Sequence, residues 1–149
     1  MKNLVYLAIG VLAMSAVMPA WQQAEQKSTA RTLKVKLNYT GTGTVDAKHK
    51  IIVFLFDTPD FAQGGVMPMG MEAGAAKDAL VTFADTGKSP VYAVAVYDPA
   101  GGYEGMSEPP SGASLGMYFK EPGKPEPITI EPGKTVQIEL KFDDTAKMP

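Results

Sequence analysis

Hydrophobic and polar positions alternate in twos along much of the chain. Leu33, Val35, Leu37 and Tyr39 interleave with Lys34, Lys36 and Asn38, which predicts a strand near 33–39 with one buried and one wet face. Gly41-Thr42-Gly43 follows as a turn. Residues 50–57 and 91–98 are largely apolar on both alternations, the pattern of middle strands covered on both sides, the outer side by a loop. Shorter runs predict strands near 66–71 and 79–84, the second marked by Val81 and Phe83. Ile128 and Ile130 predict a strand near 127–131 that leads into Glu131-Pro132-Gly133-Lys134, where proline presets φ and glycine accepts a positive one, as in a type II or related turn. Val136, Ile138, Leu140 and Phe142 then alternate with Thr135, Gln137, Glu139 and Lys141, so a last strand at 135–142 is expected to close a hairpin.

No long segment carries a 3.6-residue period, and 15 glycines and 12 prolines divide the chain into short runs. Seven strands suffice for two packed sheets. The expected fold is therefore all-β, a single antiparallel β-sandwich of about seven strands, over residues 32–143. The turn sequence recurs at Glu121-Pro122-Gly123-Lys124 with unlike flanks, which reads as shared turn chemistry rather than a repeat.

The N-terminus changes the expected compartment. Met1-Lys2-Asn3, an uncharged apolar run from Leu4 to Met18 and the exit Pro19-Ala20 have the layout of a secretory signal peptide over 1–20. The run is short of the ~20 residues that span a bilayer comfortably, and polar residues follow it, so an uncleaved anchor is the lesser alternative. Residues 21–31 read as a flexible lead and 144–149 as a C-terminal tail. The expected location is periplasmic or secreted, with no membrane association once the signal is removed. No cysteine is present, so disulfides, thiolate metal sites and a lipid-modified cysteine are excluded. The net charge of −2, with no basic stripe, gives no reason to expect nucleic acid.

The order of the pieces resembles a family of secreted bacterial domains, transthyretin-like and carboxypeptidase-regulatory-like, within the wider Ig-like class. The resemblance rests on Gly43-Thr44-Val45 before Ile51-Ile52-Val53-Phe54-Leu55-Phe56, on Pro90-Val91-Tyr92-Ala93-Val94-Ala95-Val96-Tyr97-Asp98, and on the closing Glu131-Pro132-Gly133-Lys134. It implies a non-catalytic module that supports folding, contacts a carbohydrate or cell-surface partner, or sits beside an enzyme.

Candidate chemistry is sparse. The single histidine, His49, stands at a strand start between Lys48 and Lys50, without the second histidine or the nucleophile that hydrolytic sites use. Gly64-Gly65 and Gly101-Gly102 lack the strand, spacing and helix of a phosphate loop, so no cofactor is expected. The paired acids Asp57 with Asp60, Asp98 with Glu104, and Asp143-Asp144 have no diagnostic calcium-ligand spacing, and Asp57-Thr58-Pro59-Asp60 and Asp98-Pro99 read as turns. Met67-Pro68-Met69-Gly70-Met71 places three thioethers at spacing two, which suits either Cu(I) or adaptable packing on one side of an extended chain, and Met106, Met117 and His49 can complete a metal site only if the fold brings them close. The stretch from Asp98 to Tyr118 exceeds the usual length of a structureless connection. It can present Tyr103, Glu104 and Tyr118 as a binding surface, or fold back over a sheet with Leu115, Met117 and Phe119 buried. The functional expectation is an exported, non-enzymatic binding or structural module of the bacterial envelope with a protein or carbohydrate partner. The alternative is a periplasmic copper-handling protein using Met67, Met69 and Met71.

Overall fold

The computed structural model describes residues 28–61 and 65–149. The expected signal peptide and most of the flexible lead lie outside the described residues. Seven strands are present: β1 (Thr32–Tyr39), β2 (Ile51–Phe56), β3 (Gly70–Gly74), β4 (Leu80–Phe83), β5 (Tyr92–Tyr97), β6 (Ser114–Met117) and β7 (Thr135–Phe142). They form two sheets, ordered β4-β1-β7 and β3-β2-β5-β6, and the described residues contain no α-helix. The described part of the chain is thus all-β.

β1 alternates partly exposed and buried side chains along its whole length, as its sequence requires. Leu33, Val35 and Leu37 are fully buried and meet Ile51, Val53 and Leu55 of β2, Ala95 of β5 and Leu140 of β7 in one core shared by the two sheets. β2 and β5 are the middle strands of the four-stranded sheet. Their outward residues Ile52, Phe54 and Val96 are buried too, in a second cluster with Ala113 that Tyr103, Leu115 and Met148 partly cover. The loop after β5 and the chain end therefore fold back over the outer face. The chain end is held on this side by Leu115 N–H donating to Ala146 O (2.8 Å) and Met148 N–H to Ala113 O (2.9 Å).

Five expectations are corrected. The fold is not wholly antiparallel, because β7 runs parallel to β1 from Thr32↔Thr135 to Tyr39↔Phe142. The turn at 131–134 forms, with Lys134 N–H donating to Glu131 O (3.0 Å) and Gly133 at φ +74°, but it closes no hairpin. Residues 127–131 are not a strand: Ile128 and Ile130 are buried, yet pairing is confined to the bridge Val91↔Ile128. Pro125, Pro127 and Pro132 supply no N–H, and Ile130 N–H donates to Ser89 Oγ instead (2.8 Å). The strand near 66–71 begins only at Gly70, after Pro68, and the stretch from Asp98 to Tyr118 contains the unexpected β6. The second Glu-Pro-Gly-Lys makes the same turn, with Gly123 at φ +79° and Lys124 N–H donating to Glu121 O (3.2 Å), so turn chemistry is what the two segments share.

Candidate functional site

Two regions gather polar or reactive side chains. At one end of the core, Tyr39, Tyr97 and Phe142 stack at tilted angles, with ring centroids 4.8 and 4.9 Å from Tyr39. Gly41 and Gly43 lie so close to the hydroxyl ends of Tyr39 and Tyr97 that a Cβ at either position would overlap the ring. Asp144, just past β7, then accepts the Tyr39 hydroxyl (2.5 Å), the Ser114 hydroxyl (2.7 Å), and the Thr42 N–H (2.9 Å) and hydroxyl (3.1 Å). One carboxylate thereby ties β1, the turn after it, β6 and the end of β7 together across both sheets.

These donors hold the Asp144 carboxyl well below the usual carboxylate range, the Tyr39 hydroxyl contributing most. Burial, with the Asp144 hydrogen bond adding to it, pushes the Tyr39 phenol up. Lys77 Nζ lies 5.3 Å from the Tyr39 ring centroid and donates to Gly41 O (2.7 Å), closing the cluster from outside. A shallow, open depression here is lined by Thr40, Gly41, Thr42, Asp143, Asp144 and Thr145. A carboxylate so depressed is a weak base, and its oxygens already serve the protein's own donors, so its chemistry is that of a tether. The sequence marks Asp143-Asp144 only as paired acids without a diagnostic ligand spacing. Asp143 does accept the Thr145 N–H (2.8 Å), but the role of Asp144 depends on partners 30 to 105 residues away.

The second region is the outer face of the four-stranded sheet. Tyr103 packs on Phe54 (6.5 Å between centroids), its hydroxyl donating to Ser107 O (2.9 Å) within its own loop. Burial pushes that phenol up. Glu104 beside it is exposed. Tyr118 belongs elsewhere: it packs against the inner core shared by the two sheets, whereas Tyr103 packs against the outer cluster. The structure therefore brings Tyr103 and Glu104 together and sets Tyr118 apart. Phe119, expected to be buried, is 43% exposed.

Of the three methionines in the Met-Pro-Met-Gly-Met segment, only Met71 sits in a strand, opposite Phe54. Met69 is fixed just before it by its N–H donating to Leu55 O (2.7 Å). Met69 and Met71 are partly exposed, and Met67 is 80% exposed. Met106, in the loop between β5 and β6, is 85% exposed. Its neighbour Gly105, at φ +79°, lies over Met71 so closely that a Cβ there would overlap Met71 Sδ and press on Ile52 Cγ2 and Phe54 Cζ at 3.2 Å each.

His49 and Asp46 build a side-chain-capped turn. Asp46 Oδ1 accepts the N–H groups of Lys48 (2.9 Å) and His49 (2.8 Å) and lies 2.9 Å from His49 Nδ1, and the His49 N–H contributes most to holding the Asp46 carboxyl low. The turn supports the start of the covering loop, since Gly102 N–H donates to Lys48 O (3.3 Å). Asp98 caps the same loop by accepting the Ala100 N–H (2.9 Å), and Asp57 pairs with Lys88 (2.6 Å), which lowers its carboxyl. Among the described residues no group of three or more His, Cys, Asp or Glu is placed to hold a metal. Comparison with known proteins finds no matching family model, no matching curated protein and no matching solved structure.

Proposed function

We propose that the chain is an exported, non-enzymatic β-sandwich module of the bacterial envelope, transthyretin-like in its finer class, that binds a protein or carbohydrate partner through the outer face of the four-stranded sheet. The observation that carries the reading is the surface there: a 16-residue connection between β5 and β6 is folded down onto the sheet, and large apolar side chains on it and on the neighbouring edge strand β3, Met106 and Met71, are left wholly or partly in solvent. Exposed apolar surface gathered at one place marks interaction sites more often than scattered exposure does. Two sheets over one core, with β2 and β5 as the middle strands, support the sandwich reading. The leader of residues 1–20 supports export.

The test is fractionation of cells producing the tagged full chain, followed by thermal-shift measurements on the exported protein with a panel of glycans and isolated envelope proteins. The reading requires the chain in the periplasm or medium and a partner that raises the midpoint by mass action. That rise is expected to disappear in Tyr103→Ala and Met106→Glu variants. Retention in the cytoplasm overturns export. A midpoint unmoved by every partner overturns the binding role in favour of a structural one. A second reading, copper handling, is favoured specifically by the exposure of Met67, Met69 and Met71.

A further inference from the structure

We propose that Met71, Met69 and Met67, joined by Met106 from the loop between β5 and β6, form a surface site for Cu(I) built from thioether sulfurs. The proposal deepens the copper reading and rests on it. Its carrying observation is the close approach of Gly105 to Met71, which sets the backbone next to Met106, 35 residues on in sequence from Met71, against the segment that holds the other three. The approach requires glycine twice over, for the positive φ and for the missing Cβ.

Packing accounts for Met71, whose Sδ lies against Gly105, but not for Met67 or Met106. Met117 and Met148 show the ordinary use of methionine, partly buried, with Met148 against the outer cluster. Met67 and Met106, at 80% and 85% exposure, are instead almost wholly in water. A single exposed methionine is unremarkable, but two segments converging with four is a donor set. Thioether sulfur is a soft, neutral ligand that selects Cu(I) over zinc, calcium or magnesium, and the described residues assemble no competing group of three harder ligands. Neutral ligands leave the charge of the ion uncompensated. Glu104, beside Gly105, is exposed and supplies negative charge on that side. Because thioethers carry no proton in this range, binding is expected to stay flat between about pH 5 and 8, where a histidine or cysteine site loses metal on acidification.

The experiment titrates the full chain with Cu(I) under reductant against a chromophoric Cu(I) chelator, with X-ray absorption on the loaded protein. One Cu(I) per chain, a sulfur-only first shell, and weakening by about tenfold or more in Met71→Leu and in Met106→Leu are expected. Met117→Leu is expected to bind as the wild type does, and circular dichroism checks that each variant is folded. Binding lost in the triple variant Met67→Leu, Met69→Leu, Met71→Leu but unchanged in Met106→Leu overturns the two-segment site and leaves the copper reading standing. Failure of the wild-type chain to take Cu(I) from the chelator, or a nitrogen and oxygen shell, overturns both.

Discussion

Removing the Asp144 carboxylate is the most informative perturbation of the fold. In Asp144→Ala, two buried hydroxyls lose their acceptor: Tyr39 is 3% exposed and Ser114 1%. Leaving a buried polar group unsatisfied costs about 1–3 kcal/mol. The Thr42 groups, on an exposed residue, turn to water at little cost. The expected loss is therefore about 2–6 kcal/mol, read by urea unfolding with far-ultraviolet circular dichroism as a lower midpoint at unchanged slope. Asp144→Asn keeps an acceptor oxygen and is expected to lose less.

The pH dependence supplies a second reading of the same tether. The folded-state pKa of Asp144 lies below its unfolded value, so the stabilisation is fully present above the ordinary aspartate pKa of about 3.9 and fades as pH falls through the folded value. The stability gap between wild type and Asp144→Asn is thus expected to be constant at neutral pH and to narrow below about pH 4. A double-mutant cycle of Asp144→Ala with Ser114→Ala should show coupling, because the second change removes one of the orphaned hydroxyls. A loss under about 0.5 kcal/mol in Asp144→Ala, or a gap that does not respond to acid, would refute the tether.

Other perturbations test the core and its close approaches. Leu140→Ala, at a fully buried position of β7, is expected to cost about 2–5 kcal/mol by denaturant unfolding. Gly116→Ala puts a methyl group into Phe142 where β6 meets β7, and Gly43→Ala puts one into the Tyr97 ring; each is expected to cost about 1–3 kcal/mol. Gly87→Ala meets no neighbouring atom, so any loss there comes from its φ of +66° alone and should be the smallest of the three in the same assay.

The strongest local patterns were readable because a strand with one buried face must alternate, and a strand covered on both faces must be apolar throughout. β1, β2, β5 and β7 all follow from that rule, and both Glu-Pro-Gly-Lys turns follow from the φ preferences of proline and glycine. The errors arise where pairing partners, not local pattern, decide. Ile128 and Ile130 are as buried as their sequence demands, but flanking prolines remove the donors that a ladder needs. β6 is hidden inside Ser114-Leu115-Gly116-Met117, whose glycine and serine suit a close approach to Phe142 and Asp144 and give no strand signal of their own. In the candidate site, the exposed Met-Pro-Met-Gly-Met segment stands out in the sequence. Met106 is legible there only as one of three residues that the fold would have to bring close, because nothing local says that Gly105 rests on Met71.

The sequence by itself determined the all-β class, the two middle strands, the turn chemistry and the absence of cysteine chemistry, since each follows from residue type and short-range spacing. Only the tertiary structure decided that β7 lies parallel to β1, that Asp144 fastens the two sheets, and that Tyr103 and Tyr118 pack on different faces. Those outcomes are set by contacts between residues tens of positions apart, and the alternation of side chains along a strand specifies which face is buried but not which strand lies beside it.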